Sequence, residues 1–171
     1  YVEMGKQIEY NSDNYFPIKP VRTTKSVLEA KQKIEQPEDK LFYSLFWFWE
    51  HSNNTTDEMA FYELKNGNVD KALSFWNHET TNEISSQNNS NFKNQSVLQL
   101  GLSTSKSLLG KNHFLNSITL SGYFHESKYY NEYATQVLKY SKKSNSKKLV
   151  SQYVDEVITS VKNSISPKKS N

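Results

Sequence analysis

The chain has no cysteine, which excludes disulfides, a thiol nucleophile, and thiolate-held zinc or iron–sulfur sites. It has no long hydrophobic run either. The longest, Leu41 to Trp49, is interrupted by Ser44, and a membrane-spanning helix needs about 20 apolar residues. Charge of one sign is not in excess: 21 Lys+Arg against 18 Asp+Glu leave +3. Arginine, the preferred fork for phosphates and bases, occurs once, as Arg22. Glycine and proline are scarce, 5 and 4, so each marks a break in the pattern. What is present is aromatic: 13% Phe, Tyr and Trp within a hydrophobic total of only 35%. A core is affordable at 171 residues, as one domain, if it leans on rings.

Residues 1–22 show no sustained period, carry Pro17 and Pro20, and read as an extended arm anchored by Tyr15, Phe16 and Ile18. The chain opens at Tyr1 without a methionine or a signal-like segment, which suggests a trimmed chain. From there the pattern is helical. Ser26 and Glu29 have capping-box spacing, with Val27, Ala30 and Ile34 at helical intervals. Pro37 suits the first position of a second helix, expected to run to about Glu50 through LFYSLFWFWE, apolar on nearly every side and therefore packed on several. Thr55 and Glu58 repeat the capping spacing, Met59, Ala60 and Leu64 share a side, and Gly67 suits a left-handed C-cap. Asn68 can cap a further helix whose inward residues are Val69, Ala72, Leu73, Phe75 and Trp76. Two helices joined by so short a turn must form an antiparallel hairpin.

Residues 77–96 are rich in Asn, Ser, Thr and Glu, and are expected to be a fraying helix end and a loop. Helices are expected over about Gln95–Leu109, His113–Phe124 and Ser127–Tyr140, then a basic turn over Ser141–Lys148. Leu149 to Ser164 has apolar residues three and four apart, which outweighs the strand preference of its valines. The division is an arm at 1–22, a helical domain at 23–165 and a disordered tail at 166–171.

The segment Ala60 to Trp76, AFYELKNGNVDKALSFW, resembles part of a tetratricopeptide repeat. In that family a small residue lets the first helix approach the second, a glycine makes the turn, and an alanine and a bulky residue pack on the second helix. Ala60, Gly67, Ala72 and Trp76 stand in those roles. Thr56 stands where a tryptophan is expected, Glu79 where a small residue is, and no downstream segment repeats the motif at the family's period of about 34 residues. A broader resemblance joins Asn14-Tyr15-Phe16-Pro17, Arg22-Thr23, IEQPEDKLFYSLFWFW and DEMAFYELKNGNVDKAL to the region that follows the J-domain-like segment in bacterial DnaJ-like proteins. The His-Pro-Asp signature is absent, since His51, His78, His113 and His125 are followed by Ser, Glu, Phe and Glu. The resemblance therefore implies that any J-domain segment lies upstream of Tyr1, and that contact with a DnaK-type chaperone runs through that segment.

Catalytic motifs fail on spacing. His78-Glu79 and His125-Glu126 open like HExxH, yet the second histidine is missing in both. Before Gly110-Lys111, Ser105 replaces the first glycine of a phosphate loop, and Asn112 replaces its Ser/Thr. Gly101-Leu102-Ser103 is no nucleophile elbow, because Ser105 replaces the second glycine. Glu38/Asp39, Asp57/Glu58 and Asp155/Glu156 are sequence neighbours that point about 100° apart on a helix, so none is a general acid–base pair. From Ala134 onward, Lys139, Lys142, Lys143, Lys147, Lys148, Lys162, Lys168 and Lys169 face only two acids. With Tyr129, Tyr130, Tyr133 and Tyr140 nearby they could bind a nucleic-acid strand. The tyrosines' helical spacing favours packing instead.

The sequence thus points to an all-α protein, antiparallel hairpins stacked as a short irregular tetratricopeptide-like array. Its expected work is non-catalytic: a cytoplasmic bacterial interaction or scaffold module holding a protein or peptide, with no cofactor, metal or membrane. The alternative is a nucleic-acid-associated protein using its lysine-rich end.

Overall fold

A computed structural model describes residues 22–49, 53–103, 108–138 and 155. The described residues are helical, with no strand among them: α1 (Thr24–Lys33), α2 (Pro37–Ser44), α3 (Thr55–Lys65), α4 (Val69–Thr80), α5 (Asn89–Leu102), α6 (Leu108–Glu126) and α7 (Tyr130–Leu138). The expected arm, basic turn and tail lie outside the described residues. So does the last expected helix, apart from the helical Asp155.

Local chemistry sets most boundaries, at times one cap away from expectation. Thr23, not Ser26, caps α1: the Thr23 Oγ1 accepts the Ser26 N–H at 3.1 Å, and the Ser26 Oγ accepts the Thr23 N–H at 2.9 Å. The α1 face is not buried, and Val27 and Leu28 are exposed. Asn54 rather than Thr55 caps α3, its Oδ1 accepting the Asp57 N–H at 2.9 Å. Gly67 adopts φ +79°. Its N–H bonds Leu64 O at 3.0 Å, and the Asn68 N–H bonds Glu63 O at 2.9 Å, the paired bonds of a Schellman ending. Asn68 does take the N-cap position of α4, but its side chain bonds Glu63 Oε2 at 2.7 Å instead of the helix.

Two expectations fail outright. The second helix stops at Ser44, not Glu50. The N–H groups of Leu45, Phe46 and Trp47 tighten to carbonyls three residues back, and the backbone then leaves the helix. Side chains from α5 hold it there. The Lys93 ammonium donates to Leu45 O at 2.7 Å and Trp47 O at 2.6 Å. Asn94 accepts the Trp49 N–H at 2.6 Å and donates to Trp49 O at 2.9 Å. Carbonyls committed to Lys93 are not offered to a further helical turn. The second failure is α5 itself. Residues 89–94, expected as loop, form its first turns, and every residue from Asn89 to Gln99 is buried although only Phe92, Val97 and Leu98 of them are apolar. Leu108 and Leu109 correspondingly start α6 instead of ending α5.

This polar rod lies between two apolar clusters. On one side Leu41, Leu45 and Trp49 meet Phe92, Leu120, Phe124, Tyr130, Tyr133 and Ala134. On the other, Ala60, Phe61, Leu64, Ala72, Leu73 and Trp76 meet Leu98, with Phe48 packed against them. The α3–α4 hairpin is closed by Ala60 and Ala72, neither exposed at all, and by Trp76, whose ring stands edge-on to Phe61 at 5.6 Å. Pairing of α5 with α6 dominates the rest, and α7 returns to cover α2. Its Tyr133 hydroxyl donates to Ser44 O at 2.6 Å.

Candidate functional site

Burial is the leading perturbation of four ionisable side chains among the described residues, and perturbed groups often mark active sites. Each is closed off by packing. Asp57 accepts the Trp76 Nε1–H at 2.7 Å, the Asn91 amide at 2.8 Å and the Ser90 hydroxyl at 2.5 Å. Burial raises its carboxyl above the usual range while these bonds pull it back. Asn54 extends the network, its amide donating to Gln87 O at 2.9 Å and Ser90 Oγ at 3.0 Å. Burial holds Lys93 well below the ordinary lysine range. It pushes His125 down to about 4, helped by the nearby Lys93 charge and opposed by the Ser121 carbonyl 2.5 Å from Nδ1. Tyr133 is raised, again by burial. Asp57, Lys93, His125 and Tyr133 are all at 1–3% exposure, and the hydrogen bonds of Asp57, Lys93 and Tyr133 tie neighbouring elements together.

The sequence-level candidates disperse. His78 is exposed beside Glu79, Nδ1 to Oε1 3.3 Å, whereas His125 is buried and Glu126 exposed. Asp57 is buried and Glu58 exposed, as their helical separation requires. Gly101 lies inside α5 and Gly110 inside α6, so neither belongs to a loop. Tyr130 and Tyr133 are core residues. The lysines from Lys139 onward lie outside the described residues. Among the described residues no group of three or more His, Asp or Glu could hold a metal, and no helix is long and apolar enough to cross a membrane.

The described residues form a cleft of about 450 Å³, lined by Thr80, Thr81, Asn82, Glu83, Ile84, Phe92 and Tyr123. Its floor is aromatic. Phe92 of α5 lies edge-on to Tyr123 of α6 at 6.2 Å, and Tyr123 is 59% exposed. Its rim is the 81–88 loop, which the buried Asn88 shapes. The Asn88 amide donates to Glu79 O and Glu83 O, both at 3.1 Å, and its Oδ1 accepts the Ser85 N–H at 2.7 Å. Glu83 is exposed and has no ion-pair partner among the described residues. No lysine or arginine lines the cleft.

Sequence reasoning missed this cleft entirely. Ile84 and Phe92 were the available signal, lone apolar residues in an otherwise polar stretch. No family model matches the chain, and comparison with curated proteins and with solved structures finds no match either.

Proposed function

We propose that the chain is a non-catalytic interaction module that holds a segment of another protein in the cleft between the 80–84 loop, α5 and α6. The carrying observation is the juxtaposition of an aromatic floor, Phe92 and Tyr123, with the Glu83 carboxylate and a hydroxyl- and amide-bearing rim. Such a site takes an apolar side chain on the floor and a neighbouring lysine or arginine of the partner opposite Glu83. Recognition is passive, with no bond chemistry.

The tetratricopeptide-like reading gains support from two sources. Ala60, Ala72 and Trp76 are fully buried and Gly67 has a left-handed backbone, which is consistent with the roles that motif would give them. In addition, α3 begins at Thr55 and α5 at Asn89, an offset of 34 residues, and each pairs with the helix after it. On this reading the chain is the helical part of a bacterial, cytoplasmic DnaJ-like co-chaperone. A DnaK-type chaperone would then be engaged by an upstream J-domain segment and not by these helices.

The test is a photo-crosslinking residue at position 123 in source cells, with the exposed Tyr62 as control position. A protein adduct formed from position 123 but not from 62, surviving nuclease and lost in Glu83→Lys, is the expected result. Equal adducts from both positions, or indifference to Glu83→Lys, refute the cleft. Adducts that vanish with nuclease move the role to the lysine-rich end.

A further inference from the structure

We propose that Asn66–Gly67 is a modification site at which a spontaneous succinimide forms, and that the folded turn keeps it closed, so that its modification records opening of the α3–α4 hairpin. The chemistry needs only water. The Gly67 amide nitrogen, losing its proton, attacks Asn66 Cγ; a C–N bond forms and the side-chain amide leaves as ammonia. Water then opens the ring at either carbonyl, leaving aspartate or isoaspartate at position 66. Glycine suits the attacking position because it has no Cβ to crowd the nitrogen.

In the folded turn this attack is blocked twice. Asn66 has ψ 4°, which places the Gly67 nitrogen nearly eclipsed with Asn66's own nitrogen, about 120° of rotation from the Cβ through which the ring must close. Both reacting groups are also engaged. The Gly67 N–H is held by Leu64 O at 3.0 Å, and the Asn66 side-chain amide by Tyr62 O at 2.9 Å. Turning ψ breaks the backbone bonds that end α3, so reaction waits for the hairpin to open. The product then disfavours closure. Isoaspartate lengthens the backbone by one methylene, and either acid puts a new negative charge at the negative end of α3, one turn from Glu63.

The test follows the full chain at neutral pH by tryptic mapping, in buffer and in unfolding urea. The peptide between Lys65 and Lys71 also contains Asn68-Val69, a crowded neighbour that serves as internal reference. Conversion at Asn66 is expected to be at least about tenfold slower in buffer than in urea. Trp76→Ala should raise the rate in buffer and leave the rate in urea unchanged. Should that variant fail to fold, the wild-type rate in sub-denaturing urea must rise with urea instead. Equal rates in buffer and urea, a rate that ignores sub-denaturing urea, or no conversion in urea overturns the proposal.

Discussion

Replacing Trp76 tests how the hairpin is held. The indole is fully buried among Ala60, Phe61, Leu64, Ala72, Leu73 and Leu98, and its Nε1–H is one of several side-chain donors on the Asp57 carboxylate. Truncation of a buried Trp to Ala costs about 3–5 kcal/mol. A buried carboxylate left one donor short costs about 1–3 kcal/mol. The two share a cavity and do not add fully, so Trp76→Ala is expected to lose about 4–6 kcal/mol, a large part of a typical domain's stability. Trp76→Phe separates the contributions. It keeps a ring near Phe61 and Phe48 but removes the donor, and should cost about 1–3 kcal/mol. Loss of that bond also lets the already raised Asp57 pKa climb further. The Trp76→Phe penalty should therefore shrink as pH falls and Asp57 takes up a proton. Urea unfolding followed by circular dichroism, at neutral and mildly acidic pH, gives all three quantities. An unmoved midpoint for Trp76→Ala, or a Trp76→Phe penalty indifferent to pH, refutes the reasoning.

Three further outcomes can be checked. Asn94→Ala removes the side chain that pairs the buried Trp49 N–H and C=O and should cost about 2–4 kcal/mol, with hydrogen exchange accelerated at the Trp49 amide; unchanged exchange would show that the segment after α2 is held by something else. His125 has its pKa lowered to about 4, so the unfolded chain takes up the proton first: stability is full above about 6.5 and lost as pH falls through 4, by up to about 3 kcal/mol. His125→Gln should flatten that part of the pH profile, and an identical profile refutes the assignment. Gly67→Ala adds a Cβ that meets nothing within 4 Å, so only its left-handed backbone counts, about 1–2 kcal/mol, and Gly67→Asn should cost less. A loss well above that range would mean a contact the geometry does not contain.

The hairpin was legible because its determinants are local: small residues at Ala60 and Ala72, a glycine at the turn, and Trp76 one turn beyond. The all-α class was legible from spacing for the same reason. The end of α2 was not, because Lys93 and Asn94, more than 40 residues downstream, decide where that helix stops. Nor was α5. Periodicity finds a helix by the contrast between apolar and polar faces, and a helix buried on all sides through hydrogen bonds has no such contrast. Its Asn and Ser residues read as loop for the property that lets them serve as core, short side chains able to satisfy nearby backbone and carboxylate groups. The cleft inherits that invisibility, since its floor and rim flank the same stretch.

The two apolar clusters are tied together through α5. From α5, Ser90 and Asn91 reach Asp57 beside one, while Lys93 and Asn94 reach the Leu45–Trp49 backbone beside the other. Those polar side chains are satisfied only when both neighbours are in place. With either cluster melted, α5 would expose one set of bonds to water and leave the other half-built. Such wiring makes a half-folded chain the least favourable species, so that melting either cluster melts both in one cooperative transition.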